Sequence, residues 1–201
     1  MYRLYGRKGS GNVAVQVLLE EAGAPYEMVW VEDPKAPEFL RVNPNGKVPA
    51  LQLPDGQLMY ESAAMLAYLA ETLPAAGMAP RPGSSQHALM LQWLVLLSAG
   101  TYESCLRYFY SERYGEAASV KASASAEIDR LYGVMEAELV RKGPFLCGST
   151  PSAADVYLAM LASWYEPDLA ALGRKFPAIL ALHEAIAARP SWQKVQAANA
   201  G

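Results

Sequence analysis

The apolar positions of this chain follow two different patterns, which are separated by a proline-rich segment near residue 80. Before that segment, short β-rich runs alternate with helical ones, as in a mixed α/β unit. After it, apolar residues recur at helical spacing, for example at Ile128, Leu131, Tyr132, Met135 and Leu139. The patterns predict an α/β domain over 1–73 and an all-α bundle over 86–201. The linker over 74–85 contains three prolines, two glycines and two serines.

The first domain is predicted to have the element order β-α-β-(α)-β-β-α. We expect strands and helices at 2–5, 12–22, 26–31, 35–42, 50–53, 58–60 and 62–71. Pro54-Asp55-Gly56 is a strong turn signal, so the strands on either side of it are predicted to form a hairpin. In the second domain we expect helical segments at 86–113, 123–142, 152–164, 177–188 and 191–198.

Composition narrows the function classes. A net charge of -3 with scattered Lys and Arg does not favour nucleic-acid binding, and no stretch approaches the ~18 apolar residues of a membrane span. Two cysteines, Cys105 and Cys147, without a C-x-x-C motif fit a reducing cytosol, and the first residues resemble a strand rather than a signal peptide. A cytoplasmic protein is therefore expected. His87 and His183 lie far apart, so we expect no metal site.

One run of residues stands out, Asn43 to Leu51 with the sequence N-P-N-G-K-V-P-A-L. A proline is disfavoured inside a central strand, but a cis Val48-Pro49 bond at a strand entrance would make a tight turn. Farther on, Glu61-Ser62 opens an apolar helical segment. Ser62 is predicted to be its N-cap, beside an anion-accepting helix start. A turn and a helix start of this kind could hold a small peptide with a free carboxylate.

These residues resemble the glutathione site of the cytosolic glutathione S-transferases, and the similarity extends over nearly the whole chain. Further matching segments are Leu4-Tyr5-Gly6 through Ser10-Gly11-Asn12, Phe145-Leu146-Cys147-Gly148, Ser152-Ala153-Ala154-Asp155, Phe176-Pro177 and Arg189-Pro190. The resemblance implies a thioredoxin-like first domain, a helical second domain, glutathione as co-substrate and a homodimer. It points to a serine-type class of bacterial or plant-like character.

Ser10 and Tyr5 are the two candidates for activating a thiol. Ser10 lies in a glycine-bearing loop before a helix, where its hydroxyl could donate to a thiolate or simply cap the helix. The resemblance favours the thiolate role. Some classes of the family use a tyrosine near the end of the first strand, so Tyr5 is the rival, although it also fits an ordinary strand aromatic. No His/Asp pattern indicates a serine hydrolase.

The resemblance also assigns the glutathione contacts. It implies that the Val48 backbone before Pro49 pairs with the cysteinyl part, and that Ser62 and Glu61 hold the carboxylate and ammonium of the γ-glutamyl end. Either of two lysines would meet the glycyl carboxylate, namely Lys35 or Lys47. Each of these residues also has an ordinary structural interpretation, as a loop proline, a helix cap or a solvated lysine.

The electrophile would bind against aromatic residues of the first long helix and beyond it. The candidates are Tyr102, Tyr108 and Phe109, with Tyr110, Tyr114 and Trp164 as further possibilities. Aromatic residues at helical spacing are also common in cores. Cys105 and Cys147 are expected to fill the core. Ser152 and Asp155 form an S-x-x-D capping box, which we interpret as structural.

Together these features predict a glutathione transferase that activates the thiolate for attack on an apolar electrophile. The same site could serve glutathione-dependent peroxide reduction, dehalogenation or isomerisation. A non-catalytic ligand-binding or regulatory member of the fold is the alternative from another class. The retained Ser10, Val48-Pro49 and Glu61-Ser62 favour an enzyme, because fold alone does not establish function.

Overall fold

The computed structural model describes residues 1–200, which divide into two compact units. The first unit contains residues 1–79 together with 187–200, and the second contains residues 80–186. The boundary after Ala79 lies inside the predicted linker. The elements of the first unit are β1 (Tyr2–Gly6), α1 (Asn12–Glu21), β2 (Tyr26–Trp30), α2 (Pro37–Leu40), β3 (Ala50–Gln52), β4 (Leu58–Tyr60), α3 (Ser62–Thr72) and α10 (Pro190–Asn199).

The first unit is built on a four-stranded mixed sheet with the order β2-β1-β3-β4. Strands β1 and β2 are parallel, whereas β3 is antiparallel to both β1 and β4. Leu4 of β1 pairs with Leu51 of β3, and both are fully buried. The β3–β4 hairpin closes over Pro54-Asp55-Gly56, as the turn signal predicts. The predicted α/β arrangement is confirmed.

Helix α1 is buried on all its faces, including the polar Asn12 and Gln16. Both α3 and α10 pack against this helix, which explains why these polar positions are buried as well. Helix α10 is held there by Arg189, whose Nε and Nη2 donate to the two carboxylate oxygens of Glu21 at 2.6 and 2.7 Å. The last helix therefore groups with the first unit, whereas the predicted boundaries place it with the helical domain.

The second unit is entirely helical. Its elements are α4 (Ser85–Leu96), a π-helical segment (Leu97–Tyr102), α5 (Glu103–Phe109), α6 (Ala117–Lys142), α7 (Ala153–Ala162), α8 (Leu169–Lys175) and α9 (Pro177–Ala187). The segment predicted over 86–113 is continuous through the π-helical turns up to Phe109. Helix α8 is absent from the prediction, and it begins where the carboxylate of Asp168 accepts from the Ala171 N–H at 2.7 Å. None of the helices in residues 1–200 has the length and apolar character that crossing a membrane requires.

Helix α7 forms the centre of this unit, since every residue from Ala153 to Ala162 is buried. Asp155 in its first turn is fully buried and accepts three hydrogen bonds. They come from the Leu146 N–H at 2.8 Å and from the N–H and Oγ–H of Ser152, both at 2.7 Å. The predicted capping box is confirmed. Through Leu146, it also attaches the preceding turn to the helix.

Asp155 provides a test of this interpretation. We expect Asp155→Asn to lower the free energy of unfolding by roughly 1–3 kcal/mol at neutral pH, because an amide offers one oxygen where three donors converge. Burial raises the pKa of Asp155 to about 6, from an ordinary value of 3.8. The contribution of the wild-type carboxyl to the free energy of unfolding therefore decreases as the pH rises from 3.8 to about 6, and it is constant at higher pH. Chemical denaturation should show a gap between the two proteins that widens as the pH falls below about 6.

The matched control is Asp168→Asn at the exposed start of α8. Asn and Asp cap helices about equally well, so this variant should stay close to wild type. An Asp155→Asn variant as stable as Asp168→Asn across the pH range would contradict the structural role given to Asp155.

Candidate functional site

Three of the sequence motifs meet at one edge of the sheet. The register pairs Tyr5 of β1 with Ala50 of β3, and Ala50 with Tyr60 of β4. Because β3 runs antiparallel to both neighbours, its beginning lies beside the ends of β1 and β4. The chain therefore enters or leaves the sheet here at the loop over residues 7–11, at Val48-Pro49 and at Glu61-Ser62. We call the first of these segments the Ser10 loop.

The Val48-Pro49 peptide bond is cis, as predicted, and it leads directly into β3. The preceding loop is held by Asn43, a side chain that is only 2% exposed. Its Nδ2 donates to the Lys47 carbonyl at 2.6 Å, and its Oδ1 accepts from the Asn45 N–H at 3.0 Å. A buried amide thus fixes the backbone just before Val48.

Two exposed lysines flank this loop. Lys35 Nζ donates to the Asn45 carbonyl at 3.4 Å. Gly46 has a φ of +60°, and a Cβ built there would lie 2.8 Å from Lys35 Nζ. Glycine therefore allows both the turn and the approach of the ammonium group. Lys47 is exposed on the same loop, so both predicted lysines offer positive charge near Val48.

Glu61 has an unusual backbone conformation, with a φ of 74° and a ψ of 105°. It is the one residue other than glycine with a positive φ among residues 1–200. Such a conformation costs a residue with a Cβ about 1–3 kcal/mol and is often found at functional sites. The predicted N-cap at Ser62 is wrong: Glu61 occupies the cap position, while Ser62 is the first helical residue and is 7% exposed. The backbone places the exposed Glu61 side chain directly before the first turn of α3, whose N–H groups have no acceptor in a preceding helical turn.

Ser10 is half-buried, and its hydroxyl contacts its own loop and the first residue of α1. Its Oγ lies 2.6 Å from Asn12 Oδ1 and 3.0 Å from the Arg7 carbonyl, and both of these atoms are acceptors. The cap position of α1 is held by Gly11 with no side-chain hydrogen bond, so Ser10 does not cap the helix through its hydroxyl. The Ser10 loop thus brings a hydroxyl to the N-terminal end of α1, where backbone N–H groups have no partner within the helix.

Tyr5 has different surroundings. Its ring centroid lies 6.2 Å from that of Phe39 on α2, and the two side chains line a hollow of about 400 Å³ together with Val29 and Trp30. A hydrogen bond to the Glu27 carboxylate and, as a smaller effect, one to the Tyr5 hydroxyl raise the pKa of the Arg3 guanidinium. Tyr5 therefore contributes to the α2 side of the sheet and interacts electrostatically with Arg3.

In the second unit, Tyr108 and Phe109 line a small cavity of about 40 Å³ together with Trp164. The rings of Tyr108 and Phe109 meet edge to face at 5.2 Å. Tyr102 lies outside this lining but contacts the Trp164 ring at 5.3 Å. Tyr110 and Tyr114 are exposed and pair with arginine side chains instead. The structure thus brings two of the three predicted electrophile residues to one cavity.

Comparison with known proteins identifies the family. The glutathione S-transferase N-terminal domain matches residues 14–72, and the glutathione S-transferase C-terminal domain matches residues 94–190. The glutathione S-transferase-like protein OpS6 of Beauveria bassiana is 31% identical over 98% of this chain and 95% of its own length. This chain belongs to the glutathione S-transferase family.

Solved structures of glutathione transferases agree over the whole fold. The enzyme from Methylococcus capsulatus has 33% identity and a TM-score of 0.88, covering 99% of this chain and 98% of its own. A sphingomonad glutathione S-transferase, solved in complex with glutathione, has 30% identity and a TM-score of 0.85 over 98% of each chain. The predicted pairing of a thioredoxin-like domain with a helical domain is confirmed.

The two cysteines of this family member are buried in the second unit. Burial raises the pKa of Cys105 to about 12 and that of Cys147 to about 11. Both therefore remain thiols at neutral pH, as expected for core residues. No grouping of three His, Cys, Asp or Glu side chains suited to a metal ion occurs in residues 1–200.

Sequence reasoning missed two polar residues that shape this candidate site, Asn43 and Asn12. Asn43 is part of the quoted N-P-N-G run, and an Asx turn onto its own loop is a role that this residue type often takes. Asn12 gave a weaker signal, because a polar residue at the start of a helix is ordinary and α1 also carries a glutamine and two glutamates. The partners of Asn12 could not be assigned from the sequence, because they include Asn199 of α10, which lies 187 residues farther along the chain.

Backbone strain at Glu61 can be measured by comparing two substitutions. Both Glu61→Gly and Glu61→Ala remove the side chain, but only glycine accepts the positive φ without cost. Glycine relieves a backbone strain of about 1–3 kcal/mol at this position. This gain exceeds the roughly 0.5–1 kcal/mol of stability that glycine costs relative to alanine because the unfolded chain becomes more flexible. Glu61→Gly should therefore unfold at higher denaturant concentration than Glu61→Ala.

The same pair of substitutions at Glu71, an exposed position inside α3, serves as control. There Ala should be more stable than Gly by about 1 kcal/mol, because the backbone is helical. If Ala were also the more stable residue at position 61, Glu61 would not be strained.

Proposed function

We propose that this protein is a glutathione transferase whose first unit binds glutathione at the sheet edge formed by the Ser10 loop, Val48-Pro49 and Glu61-Ser62. The observation that carries the proposal is the convergence of these three segments, one of which has a strained backbone at Glu61. The glutathione complexes of similar proteins, including the sphingomonad enzyme, support the same ligand.

The segments offer a partner for each part of the tripeptide. The Val48 backbone, exposed by the cis turn, would pair with the cysteinyl residue as an extra strand does. The hydroxyl of Ser62 and the N–H groups of α3 would bind the γ-glutamyl carboxylate, and Glu61 would face the ammonium group. Lys35 or Lys47 would attract the glycyl carboxylate.

Thiol activation in this proposal belongs to Ser10 and to the start of α1. The Ser10 hydroxyl now points its proton at neutral acceptors, Asn12 Oδ1 and the Arg7 carbonyl. A thiolate is a charged acceptor and accepts a stronger hydrogen bond than a neutral oxygen does. The Ser10 hydroxyl can therefore rotate and donate its hydrogen bond to the thiolate instead. The helix N-terminus adds positive potential. Both effects lower the thiol pKa and raise the fraction of nucleophile at neutral pH.

The thiolate would then attack an electrophilic carbon of an apolar second substrate, forming an S–C bond while the leaving group departs with its electron pair or an activated double bond accepts the electrons. This substrate would lie against aromatic residues of the second unit, Tyr108, Phe109 and Trp164, whose cavity of about 40 Å³ takes only a small part of such a molecule. We expect a cytoplasmic homodimer, as in the family. On α4, Leu91 and Val95 lie one turn apart and are 38% and 64% exposed, which supports such an interface.

Glutathione binding is the first test. Calorimetry should detect binding of reduced glutathione to the wild type, and Ser62→Ala should weaken it by roughly 1–3 kcal/mol through loss of a hydrogen bond to a charged group. Thr72→Ala is the matched control, because it removes a hydroxyl from the other end of α3. No heat of binding at millimolar glutathione would refute the proposal, and equal losses in the two variants would refute the role of Ser62.

The pH dependence of turnover separates the two thiol-activation candidates. Ser10→Ala should reduce turnover at neutral pH and recover part of it at higher pH, where the bound thiol ionises unaided. Tyr5→Phe should change much less, because the Tyr5 side chain packs with Phe39. Turnover should be followed with a panel of electrophiles and hydroperoxides, which also distinguishes transfer from peroxide reduction.

Loss of activity in Tyr5→Phe with a normal Ser10→Ala would reverse the assignment. Near-normal activity of both variants would leave the backbone N–H groups of α1 as the activating groups. In that case neither side chain should be called catalytic.

A further inference from the structure

Three amide side chains connect the Ser10 loop to the last helix of the chain. They are Asn12 and Gln16 of α1 and Asn199 of α10, which we call the amide cluster. Asn12 Nδ2 donates to Gln16 Oε1 at 3.0 Å and to Asn199 Oδ1 at 3.4 Å. Asn199 Nδ2 donates to Gln16 Oε1 at 2.9 Å and to the Val195 carbonyl at 2.9 Å. The three side chains therefore form a closed ring of hydrogen bonds.

Two oxygen atoms of the amide cluster also bind the Ser10 loop. Asn12 Oδ1 accepts from the Arg7 N–H at 3.1 Å and from the Ser10 hydroxyl at 2.6 Å. Asn199 Oδ1 accepts from the Gly9 N–H at 3.4 Å. The amide cluster thus contacts three of the five residues between Arg7 and Gly11, and one contact is the hydroxyl proposed to activate the thiol.

The orientation of Asn12 is fixed by its partners. Its oxygen must face the Arg7 N–H, and its NH₂ must face the oxygens of Gln16 and Asn199, so all four hydrogen-bonding positions of this amide are used. Asn12 is fully buried, and a Cβ at Gly6 would lie only 2.4 Å from its Cγ. The amide therefore cannot turn without breaking buried hydrogen bonds, each of which is costly to lose.

Asn199 reaches this position because α10 is anchored elsewhere on α1. Arg189 and Ser191 bind the carboxylate of Glu21, and Lys194 Nζ lies 2.7 Å from Glu20 Oε2. These contacts occur in the first half of α10, away from the Ser10 loop. The position of Asn199 is consequently set by the helix and does not depend on the loop that it contacts.

We propose that Asn199 is a positioning residue for the transferase reaction, which acts through Asn12 to hold the Ser10 hydroxyl and the Ser10 loop in the arrangement that receives the glutathione thiolate. This inference rests on the proposed function. Without Asn199, the Gly9 N–H and Asn12 Nδ2 each lose an acceptor, and the loop samples arrangements in which Ser10 is turned away. Fewer donors would then face the bound sulfur.

Asn199→Ala tests the proposal, with Gln193→Ala as the matched control on an exposed position of the same helix. Alanine is a strong helix former and Asn199 is half-buried, so the variant should fold. The ultraviolet absorbance of bound thiolate should be titrated with pH in each protein. We expect the bound thiol pKa of Asn199→Ala to rise by about one unit. This shift leaves about tenfold less thiolate, and about tenfold lower kcat, at pH values well below the pKa of the thiol bound to wild type.

The KM for glutathione should stay within about twofold, because Val48, Glu61 and Ser62 provide most of the proposed contacts, and a pKa shift of this kind acts on kcat. Gln193→Ala should follow the wild type. A purely structural role for Asn199 would lower the melting temperature but leave the thiolate titration unchanged, and that result would overturn the inference.

Hydrogen exchange of the protein without glutathione provides a second, independent measurement. Peptides that cover residues 6–12 should exchange faster in Asn199→Ala than in wild type or Gln193→Ala, and unchanged exchange would refute the positioning role. If the wild type shows no thiolate signal with glutathione, the proposed function and this inference both fail. If the wild type shows the signal and Asn199→Ala superimposes on it, only the inference fails.

Discussion

The register of three strands is the constraint on which the candidate site depends. Because β3 lies between β1 and β4 and runs antiparallel to both, the Ser10 loop, the Val48-Pro49 turn and the Glu61-Ser62 helix start all lie at the same edge. A slip of one residue would exchange the two faces of β3 and force the Leu51 side chain into the fully buried place of the smaller Ala50. The apolar core therefore enforces the alignment, and the alignment brings together groups that are far apart in sequence.

Buried side chains then fix the loops that leave this sheet. Asn43 holds the loop before the cis turn, and Asn12 holds the Ser10 loop. In the second unit, Asp155 attaches the turn around Leu146 to α7 in the same way. Since an unpaired buried polar group is costly, each loop has few alternative conformations. Rigid loops of this kind suit a site that must present several groups to one small peptide without rearrangement.

Local features were predictable from sequence, and long-range partners were not. The hairpin turn, the cis proline and the capping box at Ser152 each depend on residues close together in the chain. The packing of α10 on α1 could not be foreseen, since helical periodicity shows which residues are buried but not which element covers them. The N-cap prediction at Ser62 failed because a glutamate at positive φ is disfavoured, and sequence rules choose the ordinary cap. The residues that contact a second substrate could not be predicted, because aromatic residues at helical spacing are found both in cores and in pockets.

The central claim is that this sheet edge binds glutathione and stabilises its thiolate. The most direct measurement is the number of protons released on binding, obtained by calorimetry near neutral pH in buffers with different ionisation enthalpies. The account predicts net proton release, because the free thiol, with a pKa of about 8.5, is mostly protonated there and becomes a thiolate in the complex. Binding without proton release, or no binding at all, would contradict it.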